Sequence, residues 1–359
     1  MRLVHLFEVL DPQGQFRRLT GKAPEDYYNG RLARGWTLGL AQELKLLQST
    51  IRLSHGLLVK ALEQHWLKTE PDLVVSLVPN FNRALYESLA AALPEVPFVT
   101  VLTDLADFPP HFWIEPGQRQ DLICGSPLAV TQARAAGYPL ERVHAVSGML
   151  LRPDFHAFVA GDRAQERRCL GLAPDLPTGL LMFGGHGSSA MVTLAKALPD
   201  TQLILMCGHN EKLARRLRGM AAAAPRCVVG FTTDVPRYMQ VADFFIGKPG
   251  PGSLSEAVHM NLPVIVTRNA WTMPQERYNT VWVRDNGVGI VLPSFRKIRP
   301  AVADLVASLE TFKSATSRLR NRAAFEVPDR LAAILARREQ PEALATGVEG
   351  AWIPEAATG

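Results

Sequence analysis

The chain has 359 residues, 47% hydrophobic and 20% charged, with a formal net charge of +5. That length suits about two domains, and the balance excludes a disordered or collagen-like chain. No apolar stretch reaches the ~18 residues of a membrane-spanning helix, and MRLVHLFEVLDP lacks a signal peptide's h-region.

MRLVHLFEVL reads as a strand, with a loop through Asp11–Gly14. From Trp36 to Trp66 the pattern is helical, with Leu40, Leu44, Leu47, Ile51, Leu58 and Leu62 at near-helical spacing. This stripe either packs on the core or, with Arg34 and Trp36, dips into a lipid interface. Residues 14–60 hold eight Lys/Arg against three Asp/Glu, so the positive excess gathers here. Such a segment faces phosphates or an anionic membrane surface, or is simply a solvated helix face.

PDLVVSLVP, PFVTVLTD, DLICGS and RVHAVSG then read as short buried strands, with NRALYESLAAAL as a helix. A break at 151–178 holds Pro153, Pro174, Pro177 and the charged helix DRAQERRCLGL. A second alternation follows, with strands TGLLMF, TQLILMCG, RCVVGF, DFFIGK and LPVIVTR separated by helices. Strand–helix alternation predicts parallel sheets with helices on both faces, hence an α/β protein of two Rossmann-like domains. The expected boundaries are 1–152 and 153–338, with 339–359, rich in Ala, Gly, Pro and Glu, as a loose tail.

The four cysteines, at 124, 169, 207 and 227, form no C-x-x-C, and there is no H-E-x-x-H. This spacing points to neither a metal site nor a redox pair, and reduced thiols fit the cytoplasm.

Ligands of parallel sheets sit beyond the strands' carboxyl ends, which singles out the loops there. Gly184-Gly185-His186-Gly187-Ser188-Ser189 opens a helix, and such a loop brings backbone amides and a positive dipole to a phosphate. Gly185 to Ala190 fits G-x-G-x-x-A, but LILMCGHN lacks the acid of a dinucleotide site, and no Walker G-K-[ST] follows. A tight structural turn is the other reading. Phe231, in GFTTD, can wall a flat base or pack in the core. In GKPGPGSLSEAVHM, Ser253 and Glu256 form a Ser-x-x-Glu capping box, or Glu256 reaches a ribose diol. Pro251 and Gly252 belong to an open turn where a sugar phosphate can lie. Gln275 and Glu276 either bond sugar hydroxyls or form an ordinary helix entry.

Together these stretches resemble the GT-B glycosyltransferases that use UDP-sugars, in the monogalactosyldiacylglycerol synthase and diacylglycerol glucosyltransferase group. The peptidoglycan-lipid GlcNAc transferase is a more distant likeness. The resemblance rests on PDLVVSLVPNFNRAL, VTVLTDL, ERVHAVSGMLLRPDF, LMFGGHGS, LILMCGHNEKL, GFTTDVPRYMQVADFFIGKPGPGSLSEAVHMNLPVIV and PQERYNTVWVRDNGVGIV, and extends over most of residues 70–295. It implies two domains facing a cleft and hexosyl transfer from a UDP-sugar to a lipid hydroxyl, with diacylglycerol as acceptor. By residue it implies the diphosphate at Gly184, Gly185, His186, Gly187 and Ser188, and uracil at Phe231. The ribose falls to Glu256, the donor sugar to Pro251, Gly252, Gln275 and Glu276, and the acceptor side to Trp113 and His111. No D-x-D occurs, so no metal or cofactor is expected, and no nucleic-acid partner. The protein is expected in the cytoplasm, peripheral on the inner membrane face.

The family begins with a strand and a G-G-G-H-type loop whose histidine is the usual candidate base. MRLVHLFEVLDP resembles the family's second strand, so this chain is expected to lack the first. Asp104, Asp107, His111 and Glu115 are chemically able to replace that base, with Asp104 and His111 the leading candidates. Two alternatives stay open: a non-catalytic nucleotide-sugar or lipid-binding module, and a UDP-sugar epimerase of the same fold.

Overall fold

The computed structural model describes residues 1–10, 40–159 and 161–339. Trp36, Arg34 and the expected tail after Glu339 lie outside them. Two parallel sheets organise the described chain. The first holds β1 (Val74–Ser76), β2 (Phe98–Val101), β3 (Asp121–Cys124) and β4 (Val143–Ala145), in the order β1-β2-β3-β4. The second holds β5 (Thr178–Met182), β6 (Gln202–Met206), β7 (Arg226–Val229), β8 (Phe244–Gly247), β9 (Val264–Thr267) and β10 (Gly289–Leu292). Its order is β10-β9-β8-β5-β6-β7. The order therefore reverses between β5 and β8, the switch point where doubly wound sheets hold their ligands.

The central strands are apolar on both faces because helices cover both, so each reads as a continuous hydrophobic run. β5, β6 and β8 are buried along their whole length. One core cluster holds Leu180, Ile204 and Phe245, and another holds Leu181, Leu203, Phe244 and Ile246. Alternate residues of the same strands thus feed opposite layers.

Three local expectations are corrected. Residues 6–10 form a helix, Leu6–Leu10, where a strand was expected. Leu6, Val9 and Leu10 fall at i, i+3 and i+4 and pack with Leu62 and Trp66, so tertiary contact decides a run too short to show a period. The helix at 36–66 is two helices in the described part, Leu40–Leu53 and His55–Thr69, broken at Ser54. Leu62 and Trp66 are buried there, whereas Leu46, Leu53 and Leu57 are 68%, 89% and 75% exposed. The Ser-x-x-Glu box does not form. The helix starts at Pro251 with Gly250 as its N-cap and no side-chain cap bond. Proline's fixed φ suits the first helical position, which leaves Ser253 and Glu256 inside the helix.

The two units are stitched by chain crossings. Ala323, Val327 and Ile334 of the Ala323–Glu339 helix pack against Val99, Val101 and Ile123 of the first sheet. Residues 323–338, grouped with the second unit by sequence, therefore return to the first. Asn321 Nδ2 donates to the Met149 carbonyl at 2.8 Å, and the Ser147 amide donates to Glu326 at 2.7 Å.

Candidate functional site

Met182, Met206, Val229 and Gly247 end their strands in one row, paired Met182 to Met206, Met206 to Val229 and Met182 to Gly247. The loops that follow therefore leave the sheet side by side. Gly184 and Gly187 take φ of +75° and +59°, a region that favours glycine. The loop then enters the Ala190–Ala197 helix. Its exposed backbone sits at a helix N-terminus, a geometry that accepts anions.

The loop after β8 is held open by its neighbours. Asn279 is fully buried, and its Nδ2 donates to the Pro249 carbonyl at 2.8 Å. Glu276, 6% exposed, ends the Pro274–Glu276 turn that also carries Gln275 and takes an ion pair from Lys248 at 3.0 Å. Gly250 approaches that pair, since a Cβ there would lie 3.4 Å from Glu276 Oε1. Pro251 and Gly252 form the helix's first turn, and a Cβ at Gly252 would lie 4.0 Å from the Met149 methyl.

Glu256, one turn into the helix, is half-buried. Burial raises its carboxyl above the usual range, Arg152 pulls it down, and Asp154 pushes it up. Arg152 also donates to the Thr233 carbonyl at 3.2 Å. It thereby ties Glu256 electrostatically to the Phe231 loop. Phe231 is 60% exposed, so it is not a core residue.

The first unit supplies Asp104, 8% exposed in the loop after β2, three residues past the strand's end at Val101. Burial pushes its carboxyl up to about 6, despite the hydrogen bond from Trp113; Glu276 and Asp107 raise it further and Lys248 lowers it. Asp104 is thus within electrostatic reach of the second unit's Lys248–Glu276 pair. Trp113 is 1% exposed and donates its indole N–H to Asp104 Oδ2 at 2.9 Å. It touches the candidate site through Asp104. Asp107 instead shapes the loop, accepting from the amides of His111 at 3.1 Å and Trp113 at 2.6 Å. His111 is set apart, with φ +65° and Nδ1 3.8 Å from Glu115. It lines a hollow of about 370 Å³ with Arg52, His55, Asn80 and Arg83, whose lining does not include Asp104.

A larger hollow of about 500 Å³ runs beside β7 between Leu217, Met220 and Arg226 and contains none of the loop residues. The loop chemistry and the strand order outweigh its size in locating the site. Among the described residues no group of His, Cys, Asp and Glu is placed to hold a metal ion.

Sequence reasoning missed Lys248, Asn279 and Arg152. Lys248 was readable as a cation directly after a buried strand. The other two act through contacts between distant segments and carry no sequence signal.

Comparison with known proteins agrees with this architecture. The glycosyltransferase family 28 C-terminal domain matches residues 183–328. Monogalactosyldiacylglycerol synthase 1 of Arabidopsis thaliana is 30% identical over 270 residues, 72% of this chain and 50% of that protein. A probable monogalactosyldiacylglycerol synthase 2 of Oryza sativa subsp. japonica is 31% identical over 277 residues, 70% of this chain and 57% of that protein. The chain thus spans about half the length of the relatives it matches. Among solved structures, Acinetobacter baumannii MurG superposes with a TM-score of 0.54 at 12% identity, covering 77% of each chain. S. aureus MnaA with UDP superposes at 0.55 and 16% identity, covering 79% of each. At such identities the structures speak for the fold alone. Fold, domain match and relatives agree that the chain belongs to the GT-B glycosyltransferases of the monogalactosyldiacylglycerol synthase type.

Proposed function

We propose that the chain transfers a hexose from a UDP-sugar to a lipid hydroxyl, that of diacylglycerol. The observation that carries this reading is Asp104, a buried carboxyl of the first unit within electrostatic reach of Lys248 and Glu276 of the second. The Gly184–Ser188 loop receives the diphosphate through backbone amides, which stabilise the charge that develops as the sugar leaves. Phe231 walls the uracil, Glu256 accepts from the ribose hydroxyls, and Gln275 and Glu276 bind the sugar against the Pro251–Gly252 turn. Asp104 accepts the proton of the attacking lipid hydroxyl while the bond between sugar carbon and diphosphate oxygen breaks and UDP departs. A base with its pKa near the working pH suits that task.

Exposed Leu46, Leu47, Leu53 and Leu57 on the Leu40–Leu53 and His55–Thr69 helices support a lipid-facing side. Among the described residues no helix is long and apolar enough to cross a membrane.

The test is incubation with UDP-galactose or UDP-glucose and diacylglycerol vesicles, with glycolipid measured. Glycolipid from the native chain and none from Asp104→Asn supports the proposal. UDP binding without product favours a non-catalytic module, and isomerised UDP-sugar without acceptor favours an epimerase.

A further inference from the structure

Three aromatic rings line the carboxyl edge of the second sheet. His186 comes from the loop after β5, His209 from the loop after β6 and Phe231 from the loop after β7. His209 and Phe231 are stacked, with centroids 3.9 Å apart and planes 19° from parallel. His186 continues the row, 5.8 Å from His209 and tilted by 43°.

His209 is fixed from below. Its amide donates to the Gly185 carbonyl at 2.9 Å. Gly208 before it has φ +57°, and a Cβ there would collide with the same carbonyl. Asn210 after it donates to the His186 carbonyl at 3.3 Å and caps the next helix through the Leu213 amide at 3.0 Å. The imidazole therefore stands on the junction of two loops.

Phe231 has no such anchor in the core, being 60% exposed. His209 covers one of its faces and leaves the other to solvent. A phenyl backed by a second ring is a flat platform whose open face gains from burial under a flat, polarisable ligand. The row also has a direction. The glycine loop lies at the β5 end and the platform at the β7 end, and Arg152 ties the Thr233 carbonyl beside the platform to Glu256. Phosphates, base and sugar each have a place in that order.

We infer that His209 is a positioning residue for the nucleotide: stacked behind Phe231, it holds that ring as the platform on which the donor's nucleobase rests. This inference rests on the donor-site reading above. His209 touches the base only through Phe231. A platform already in place also loses less freedom when the base settles.

Calorimetric titration of UDP into the native chain, His209→Ala, His209→Phe, Phe231→Ala and the double Ala variant tests it. His209→Ala weakens UDP about three- to ten-fold, the range of a lost aromatic pair. His209→Phe, which keeps a stacking ring, stays within about twofold of native. In the Phe231→Ala background, His209→Ala adds less than about twofold, because its effect passes through the missing ring. Equal losses in both backgrounds, an unchanged affinity in His209→Ala, or a His209→Phe variant as weak as the alanine would each overturn the inference. A native chain that fails to bind UDP rejects the donor-site reading itself and this inference with it.

Discussion

Trp113 donates its indole N–H to Asp104 Oδ2 at 2.9 Å, and both side chains are buried. This bond occupies Oδ2, and in the proposed mechanism Oδ1 is the oxygen that takes the proton. It also holds down a carboxyl that burial raises, and the net position of that carboxyl is about 6. Trp113→Phe keeps most of the ring and removes the donor, so the Asp104 carboxyl rises further. The acidic limb of the pH–rate profile moves to higher pH, while KM for the donor stays unchanged. Initial rates across pH 5 to 8, about the range where such a group titrates, measure this.

Asp104 also links pH to stability. Its folded carboxyl titrates near 6, above the usual 3.8, so the folded state holds the proton more tightly than the unfolded one. Stability from this group is present below the unfolded value, falls as pH rises from about 4 to 6, and is absent above that. Asp104→Asn removes the ionisation, and stability at pH 7 rises by up to roughly 3 kcal/mol while transfer is lost. Urea melts at pH 4.5 and pH 7 test it: the gap between native and Asn variants widens at the higher pH.

Lys248 and Glu276 form a pair in which only Glu276 is well buried. Lys248→Met leaves that carboxylate without its cation and destabilises by about 1–3 kcal/mol, less than a fully buried pair because Lys248 is partly solvated. The double variant Lys248→Met with Glu276→Gln recovers most of the loss. Thermal melts of the three variants show whether the coupling exists.

The second unit has a separate structural keystone. Asp243 is 5% exposed and receives Arg163 at 2.7 Å and Arg167 at 2.6 Å. Burial pushes its carboxyl up, but the arginines and the Thr178 amide outweigh it and the net shift is downward. Its stabilisation is complete above the unfolded value and is lost as pH falls through the lower folded one. Asp243→Asn strands Arg167, itself 3% exposed, and costs about 3–5 kcal/mol. A smaller drop in melting stability would mean that the carbonyls of Val241, Pro174 and Leu176, which Arg167 also reaches, suffice.

Most of the fold was legible because parallel strands covered on both faces appear as unbroken apolar runs. PDLVVSLVP contains β1 and DFFIGK contains β8. Leu6–Leu10 and the break at Ser54 were not legible, since packing against Leu62 and Trp66 decides the first and Gly56, two residues past the second, lies inside the following helix. The glycine loop between β5 and its helix could be read from its residues, whereas Glu256, expected in a capping box, lies inside the Pro251–His259 helix. The electrostatic reach between Asp104 and the Lys248–Glu276 pair depends on how the two units are arranged, which no local pattern encodes. His209 looked like a loop residue because its stacking partner lies 22 positions away, beyond another strand.

The central claim is that the loops after β5 and β8 grip a uridine diphosphate, with the carboxylate of Glu256 on its ribose. Calorimetric titration of UDP into the native chain and Glu256→Gln tests it most directly. The account predicts binding to the native chain and about a tenfold loss in the variant, the scale of a lost hydrogen bond to a charged group, with the melting temperature of the unliganded protein kept. Equal affinity in both would contradict it.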